Sequence, residues 1–367
     1  MRPKILFILK KRFIPYGDPA NDLPYAYQMS SGLLNSAMFV CNMLIRSNLD
    51  AKLVEVRDNN DIDREVTAYR PTHVIIEAYW VVPEKFEVLT ARHPNVKWIV
   101  RGHSEIPFLA NEGIAMDWTQ RYIEYPNVIV ASNSTQVVDD FRKWLAIRFP
   151  ERNKRDIEKS IIYLPNYYPI TLHKTPFRLD GKDTIDVGCF GAVRPMKNHL
   201  IQAFAAVQLA QSLDKKLRFH INASRREGGG DKPLKNVRAY FRDLGDDYQL
   251  VEHEWMSHTD FKKLVATMDI GMQVSFSETF NIVTADFVDM DVPVVVSDEI
   301  KWMPHWFKAD MTETQQIVNK MLFALAWKKY LPWLNVNKKA LHKYVEKSAD
   351  VWIRYFTPRH HFHAWAE

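Results

Sequence analysis

The sequence has little cysteine, no long apolar run and none of the common glycine-rich phosphate loops. Each absence excludes something. Its two cysteines, Cys41 and Cys189, form neither a disulfide framework nor a metal-ligand pattern. Near the start, only Ile5–Leu9 are consecutively apolar, which is shorter than a signal-peptide core, and no small-residue cleavage site follows. No run approaches the length of a membrane-spanning helix. The expectation is a soluble, cytoplasmic protein. Neither Gly-x-x-x-x-Gly-Lys-Ser/Thr nor Gly-x-Gly-x-x-Gly occurs, so nucleoside triphosphate hydrolysis and dinucleotide redox chemistry lack their phosphate cradles.

What is present fits two domains. A chain of 367 residues is long for one domain and allows two, each with its own core. The formal charge of +5 suits an anionic partner, and phosphorylated small molecules, nucleic acid and membrane surfaces all qualify. The excess is local. Residues 142–159 hold seven Lys/Arg against three Asp/Glu, and residues 214–238 hold eight against three. Such runs are either solvated helix faces or anion-binding surface.

Short apolar runs alternate with helical periods. Lys4–Leu9 reads as a strand, and Ser31–Arg46 as a helix with apolar residues near a 3.6 period. Lys52–Val56, His73–Ala78, Lys97–Arg101, Asn127–Ser132 and Ile161–Leu164 read as further strands. Several are apolar on successive residues, as strands covered on both faces are. Pro165–Asp183 interrupts the pattern, which restarts with Thr184–Phe190, Leu217–Ile221, Tyr248–Val251, Asp269–Val274 and Val292–Ser297. The expected fold class is α/β, with two Rossmann-like doubly wound domains facing a central cleft. The expected division is a first domain over 1–166, a linker over 167–183 and a second domain over 184–340. A carboxyl-terminal helix over 341–367 is placed to cross back to the first domain.

Two segments carry the chemistry. In Val274–Ser297 a buried strand ends, the loop Ser277-Glu278-Thr279-Phe280 follows, a helix starts near Asn281, and a second apolar strand starts at Val292. Glu278 and Asp286, eight positions apart, can face one site. The helix start supplies backbone N–H groups and a positive dipole end, which suit phosphate. In Val187–His199 a strand turns through Gly191 and presents Arg194 and Lys197 before a helix. Two cations at that spacing can converge on a diphosphate, Arg as a planar fork and Lys as a point charge.

Together these segments resemble the donor-binding signature of family-four-like retaining glycosyltransferases of the GT-B fold. The resemblance implies that Glu278 contacts the donor sugar and Asp286 the ribose. It implies that backbone N–H groups of Phe280, Asn281 and Ile282, beside Thr279, meet the diphosphate, and that Arg194 and Lys197 stabilise the leaving group without a metal. It also places Trp255 and Met256 at the nucleobase, where Trp255 either stacks or only packs. His103, after Val100-Arg101-Gly102, takes the place of a histidine that meets donor sugar or acceptor, and is otherwise structural. Catalysis would rest on His103, Glu278, Arg194 and Lys197. Three departures show: Asp286 stands for the usual Glu, Asn281 for a Gly, and Asp291 for the Gly before the second strand.

On the acceptor side Gly32, His103 and Glu105 are candidates. The loop from Tyr16-Gly17-Asp18 to Ser30-Ser31-Gly32 lacks the family's glycine pair. The implied reaction is sugar transfer from a nucleoside diphosphate-sugar, uridine-linked by expectation, with no further cofactor and no metal. The acceptor stays open between a hydroxymethylated base in DNA, as for some viral members of this fold, and a glycan or lipid-linked acceptor. A sugar-nucleotide epimerase shares the fold and is the other enzyme class. Phe141–Phe149 is a short basic–aromatic helix of the kind that lies on membranes. Asp289-Met290-Asp291 has the spacing of a metal-binding pair but sits where a turn needs polar residues. Gly228-Gly229-Gly230 reads as a surface loop, with Arg225 and Arg226 in reach of an anion. His360-His361-Phe362-His363 reads as a terminal tail.

Overall fold

The structure, a computed structural model, describes residues 2–11, 31–171 and 173–357. The loop from Arg12 to Ser30 and the histidines from His360 onward therefore lie outside the described residues. The chain divides into two compact units. Among the described residues, one takes 2–11, 31–169 and 345–357, and the other takes 170, 171 and 173–344.

The first unit runs β1 (Lys4–Lys10), α1 (Gly32–Arg46), β2 (Asp50–Val56), α2 (Asp61–Tyr69), β3 (His73–Glu77), α3 (Lys85–Arg92), β4 (Lys97–Gly102), α4 (Ile106–Leu109), α5 (Ala115–Tyr122), β5 (Val128–Ser132), α6 (Thr135–Arg148), α7 (Lys154–Ser160) and β6 (Ile161–Tyr163). Its six strands are all parallel, in the order β2-β1-β3-β4-β5-β6. Neighbouring residues on one strand enter different cores. Leu6, Ile8, Val74, Ile76, Trp98 and Val100 pack on one face. Ile5, Phe7, Ile75 and Ile99 pack on the other, with Val40 and Leu44 of α1. Apolar residues on both faces are why these strands read as continuous runs. Serine side chains set two helix starts: Ser31 accepts from the Leu34 N–H and Ser134 from the Val137 N–H.

The second unit runs β7 (Thr184–Val193), α8 (His199–Ser212), β8 (Lys216–Arg226), α9 (Asp231–Arg242), β9 (Tyr248–His253), α10 (His258–Val265), β10 (Ile270–Gln273), α11 (Ile282–Asp289), β11 (Val294–Val296), α12 (Thr314–Tyr330) and α13 (Val336–Phe356). The sheet is parallel, in the order β11-β10-β7-β8-β9. The order reverses between β7 and β10, and ligands of such sheets bind at the carboxyl ends flanking that reversal. Helix α13 divides between the units after Tyr344. Its Trp352 and Phe356 complete the core of the first unit, and the Trp352 indole N–H donates to the Pro165 carbonyl at 2.7 Å.

Both cysteines are buried and free. Burial pushes the Cys41 thiol up to about 11 and the Cys189 thiol up to about 12, so neither is a nucleophile near neutral pH.

Candidate active site

The two segments singled out in the sequence leave the carboxyl ends of β7 and β10, the strands on either side of the reversal. A short 3-10 turn, Pro195–Lys197, follows β7 and leads into α8. Side chains and backbone stitch this turn to the loop after β10. The Asn198 amide donates to the Val274 carbonyl at 3.0 Å, and Gln202 accepts from the Val274 N–H at 2.9 Å. Gln202 also donates to the Lys197 carbonyl at 2.7 Å, and the Phe276 N–H donates to the Met196 carbonyl at 2.8 Å. Asn198 and Gln202 are buried, and pairing their amides with backbone groups of both segments fixes the turn.

Its consequence is an ion pair. Lys197 Nζ lies 2.5 Å from Glu278 Oε1, and both residues are 8% exposed. Burial pushes the Glu278 carboxyl up, but the charges of Lys197 and Arg194 outweigh it and hold the carboxyl below its usual range. Gly191 turns the chain toward the lysine. Its φ is +115°, which a side chain would strain, although a Cβ there would make only ordinary contact with Lys197 Cε, at 3.5 Å.

Asn281 and Asp291 account for two of the departures from the resembled pattern. Their φ angles are +58° and +61°, in the left-handed region where glycine is the default and Asn and Asp are the tolerated substitutes. Asn281 adds what a glycine lacks. It caps α11 by accepting from the Thr284 N–H at 2.8 Å and donates to Gln273 Oε1 at 3.0 Å. Asp291 is held by Lys328 at 2.7 Å and Asn335 at 2.6 Å. Asp289, by contrast, is held by Thr171 and by Lys262 at 2.5 Å. The two carboxylates thus serve different partners.

The shorter Asp286 is 1% exposed, and its Oδ1 lies 2.7 Å from His258 Nε2. No sequence signal links these residues; the contact exists because α10 and α11 pack side by side. On the far side of the same sheet end, Arg225 lies 4.4 Å over the Trp255 ring and makes two bonds to Glu227, at 2.8 and 2.6 Å. Glu227 is also 3.8 Å from Arg194. Trp255 and Met256 are half-buried, and the Trp255 N–H donates to Ser224 at 2.8 Å. Phe280 is buried, with its ring stacked 4.8 Å from Tyr344 and its carbonyl bonded to Trp302 at 2.7 Å. Thr279 and Ile282 flank Phe280 and Asn281 in the β10–α11 loop and the first position of α11. The residues that sequence reasoning missed are thus Asn198, Gln202, Glu227 and His258.

In the first unit, His103 follows β4. Its Nε2 lies 2.5 Å from Glu77 Oε2, and Glu77 also accepts from Arg101 at 3.1 Å. Both Glu77 and Arg101 are fully buried. Burial raises the Glu77 carboxyl while Arg101 and His103 lower it, with a net lowering; burial and the Arg101 charge hold His103 below the usual histidine range. Arg101 further donates to the carbonyls of Leu164 and Pro165 and to Asn166 Oδ1. Glu105 is buried at the start of α4. Gly32 opens α1, and a Cβ there would meet none of the described residues within 4 Å.

The basic–aromatic segment 141–149 turns its rings inward: Phe141 and Phe149 join the core, Trp144 packs against it, and Ile147 stays exposed. Among the described residues, no group of three or more His, Cys, Asp or Glu is gathered in a metal-binding arrangement, and no helix is long and apolar enough to cross a membrane.

No family model and no curated protein sequence matches the chain. Solved structures do match. A UDP-forming α,α-trehalose-phosphate synthase from Burkholderia vietnamiensis is similar at a TM-score of 0.67 and 9% identity, over 97% of each chain. A sucrose-phosphate synthase from Thermosynechococcus elongatus is similar at 0.65 and 13%, over 96% of this chain and 98% of that one. The pneumococcal O-GlcNAc transferase GtfA, solved in complex with UDP and GlcNAc, is similar at 0.58 and 9%, over 97% and 99%. At such identities the likeness establishes the fold: two parallel-sheet α/β domains of the GT-B type.

Proposed function

We propose that the chain is a glycosyltransferase that moves a sugar from a nucleoside diphosphate-sugar to an acceptor hydroxyl. The observation that carries this reading is the buried Lys197–Glu278 pair beside Arg194, at the strand reversal of the second unit. A site that holds a cation, an ionised carboxylate and a helix start together suits a sugar diphosphate better than a neutral ligand. A uridine-linked donor is favoured, because the neighbours in fold include one described as UDP-forming and one bound to UDP.

The chemistry follows from these groups. The bond between the anomeric carbon and the phosphate oxygen breaks, and its electron pair leaves with the nucleoside diphosphate. Arg194 and Lys197 offset the charge that develops there, so the step needs no metal. Glu278, held ionised, accepts hydrogen bonds from the sugar. The acceptor oxygen forms the new bond on the same face, and its proton passes to the departing phosphate oxygen. The outcome is retention.

The test is mass spectrometry of uridine-, guanosine- and adenosine-diphosphate sugars incubated with hydroxymethylated duplex DNA, glycans and lipid-linked acceptors. Release of nucleoside diphosphate with a mass-shifted acceptor is the expected result, and the acceptor that shifts names the substrate class. Isomerised donor in the absence of any acceptor would make the chain an epimerase instead. No turnover or binding of any donor would sink the reading of the site.

A further inference from the structure

The four aromatic side chains that stand well exposed among the described residues lie together on the second unit: Trp306, Phe323, Tyr330 and Trp333. Other exposed large apolar residues, such as Met38, Val88 and Ile147, are aliphatic and single, which needs no explanation. A clustered set does. Along α12, Lys320, Phe323, Trp327 and Tyr330 recur at steps of three and four, so they form one stripe. Trp327 links the stripe to its flank, with its ring 5.6 Å from both Phe323 and Trp306. Pro332 then separates α12 from α13, and the loop between them projects Trp333, 75% exposed, next to Leu334. The Trp327 indole N–H donates to the Leu334 carbonyl at 3.0 Å and pins that loop. Tyr330 is 64% exposed. None of these residues belongs to the donor site.

Along the chain, the charge of α12, α13 up to Val345 and the loop between them has one sign. Residues 314–345 contain six lysines and no aspartate or glutamate. Lys328 and Lys329, next to Tyr330, are neutralised by Asp291 and Asp180, at 2.7 Å each. Lys320, Lys339 and Lys343 make no ion pair among the described residues, and they flank the aromatic face along the chain on both sides. The centre is therefore apolar and amphipathic, and the free positive charge is peripheral. A surface that tracks the backbone of a duplex needs the reverse, cations at its centre. Tryptophan and tyrosine with flanking lysine suit the headgroup layer of a bilayer, where the rings enter the interface and the ammonium groups meet lipid phosphate.

We propose that this aromatic face of the second unit attaches the protein peripherally to an anionic lipid surface. Cosedimentation with vesicles tests it, using phosphatidylcholine alone and phosphatidylcholine mixed with phosphatidylglycerol. The full-length protein should pellet with the mixed vesicles and about tenfold less with phosphatidylcholine alone, and added salt should weaken the binding. A Tyr330→Ser, Trp333→Ser double variant should lose about tenfold in binding while its circular dichroism stays unchanged, since both side chains are largely exposed. A second variant, Lys339→Gln with Lys343→Gln, should lose the preference for phosphatidylglycerol but keep the weak residual binding. Wild-type protein that stays in the supernatant, or a double aromatic variant that binds as wild type does, overturns the proposal. So does concentration-dependent dimerisation abolished by Trp333→Ser without vesicle binding, or a duplex DNA shift abolished by it, because the face would then belong to a second copy or to nucleic acid. Vesicle binding needs no donor, so its outcome is independent of the sugar-transfer reading.

Discussion

Lys197 Nζ and Glu278 Oε1 lie 2.5 Å apart, although 81 residues separate them in the chain. Because both groups are buried, removing one strands the other. Such truncation costs about 3–5 kcal/mol, while removing both charges together is often close to neutral. Lys197→Ala should therefore lower the urea midpoint and cut transfer by about a hundredfold or more. The double change Lys197→Met, Glu278→Gln should recover most of the stability and none of the transfer. Denaturation curves beside single-turnover rates check this; recovery of transfer in the double variant would remove both residues from the chemistry.

His199 gives a pH signature. It is 1% exposed, neither ring nitrogen has a hydrogen-bond partner among the described residues, and burial with the nearby Lys197 and Arg194 charges holds its pKa down to about 3. An unfolded histidine takes its proton near 6.5. Between those values the unfolded chain binds the extra proton, so stability falls as pH drops, by about 1.4 kcal/mol per pH unit for this group. His199→Leu should flatten the pH dependence of the urea midpoint between pH 6 and pH 4 without loss at pH 7. An unchanged slope would mean that His199 is hydrated in solution.

The His258–Asp286 contact at 2.7 Å separates two roles for the carboxylate. If Asp286 serves the ribose, Asp286→Asn and His258→Gln should each weaken uridine diphosphate binding by about tenfold, or about 1.4 kcal/mol. Isothermal calorimetry reads this directly. Lower thermal stability with intact affinity would assign the pair to packing alone.

Asn281 tests the reason for a departure from the resembled pattern. Both Gly and Ala there lose the side-chain cap, but only Ala also bears the left-handed strain of a φ of +58°. Asn281→Ala should destabilise by about 1–2 kcal/mol more than Asn281→Gly. Equal losses would place the whole effect in the side-chain bonds to Thr284 and Gln273.

Much was legible in the sequence, for a local reason. Strands buried on both faces leave runs such as Ile5–Leu9 and Val294–Val296, and the restart after Pro165–Asp183 marks a second unit. Residue types around Gly191, Arg194, Lys197 and Glu278 carry charge and turn geometry that any fold must place on loops. The inward turn of Phe141 and Phe149 was not legible, because a helix stripe of aromatics and cations reads alike whether the rings face core or solvent. Trp333 and Tyr330 turn outward from a stretch of similar composition.

The sequence by itself determined two α/β units and the charged loops that follow their strands. Only the tertiary structure decided which loops meet. Burial periodicity reports that a strand is covered, not which strand lies beside it. The order β11-β10-β7-β8-β9 brings β10 next to β7 rather than next to β9, its neighbour in sequence. That crossover sets Lys197 against Glu278, as the packing of α10 on α11 sets His258 against Asp286. Both are long-range choices among parallel pairings, made by how the helices cover the sheet, and no window of local sequence contains them.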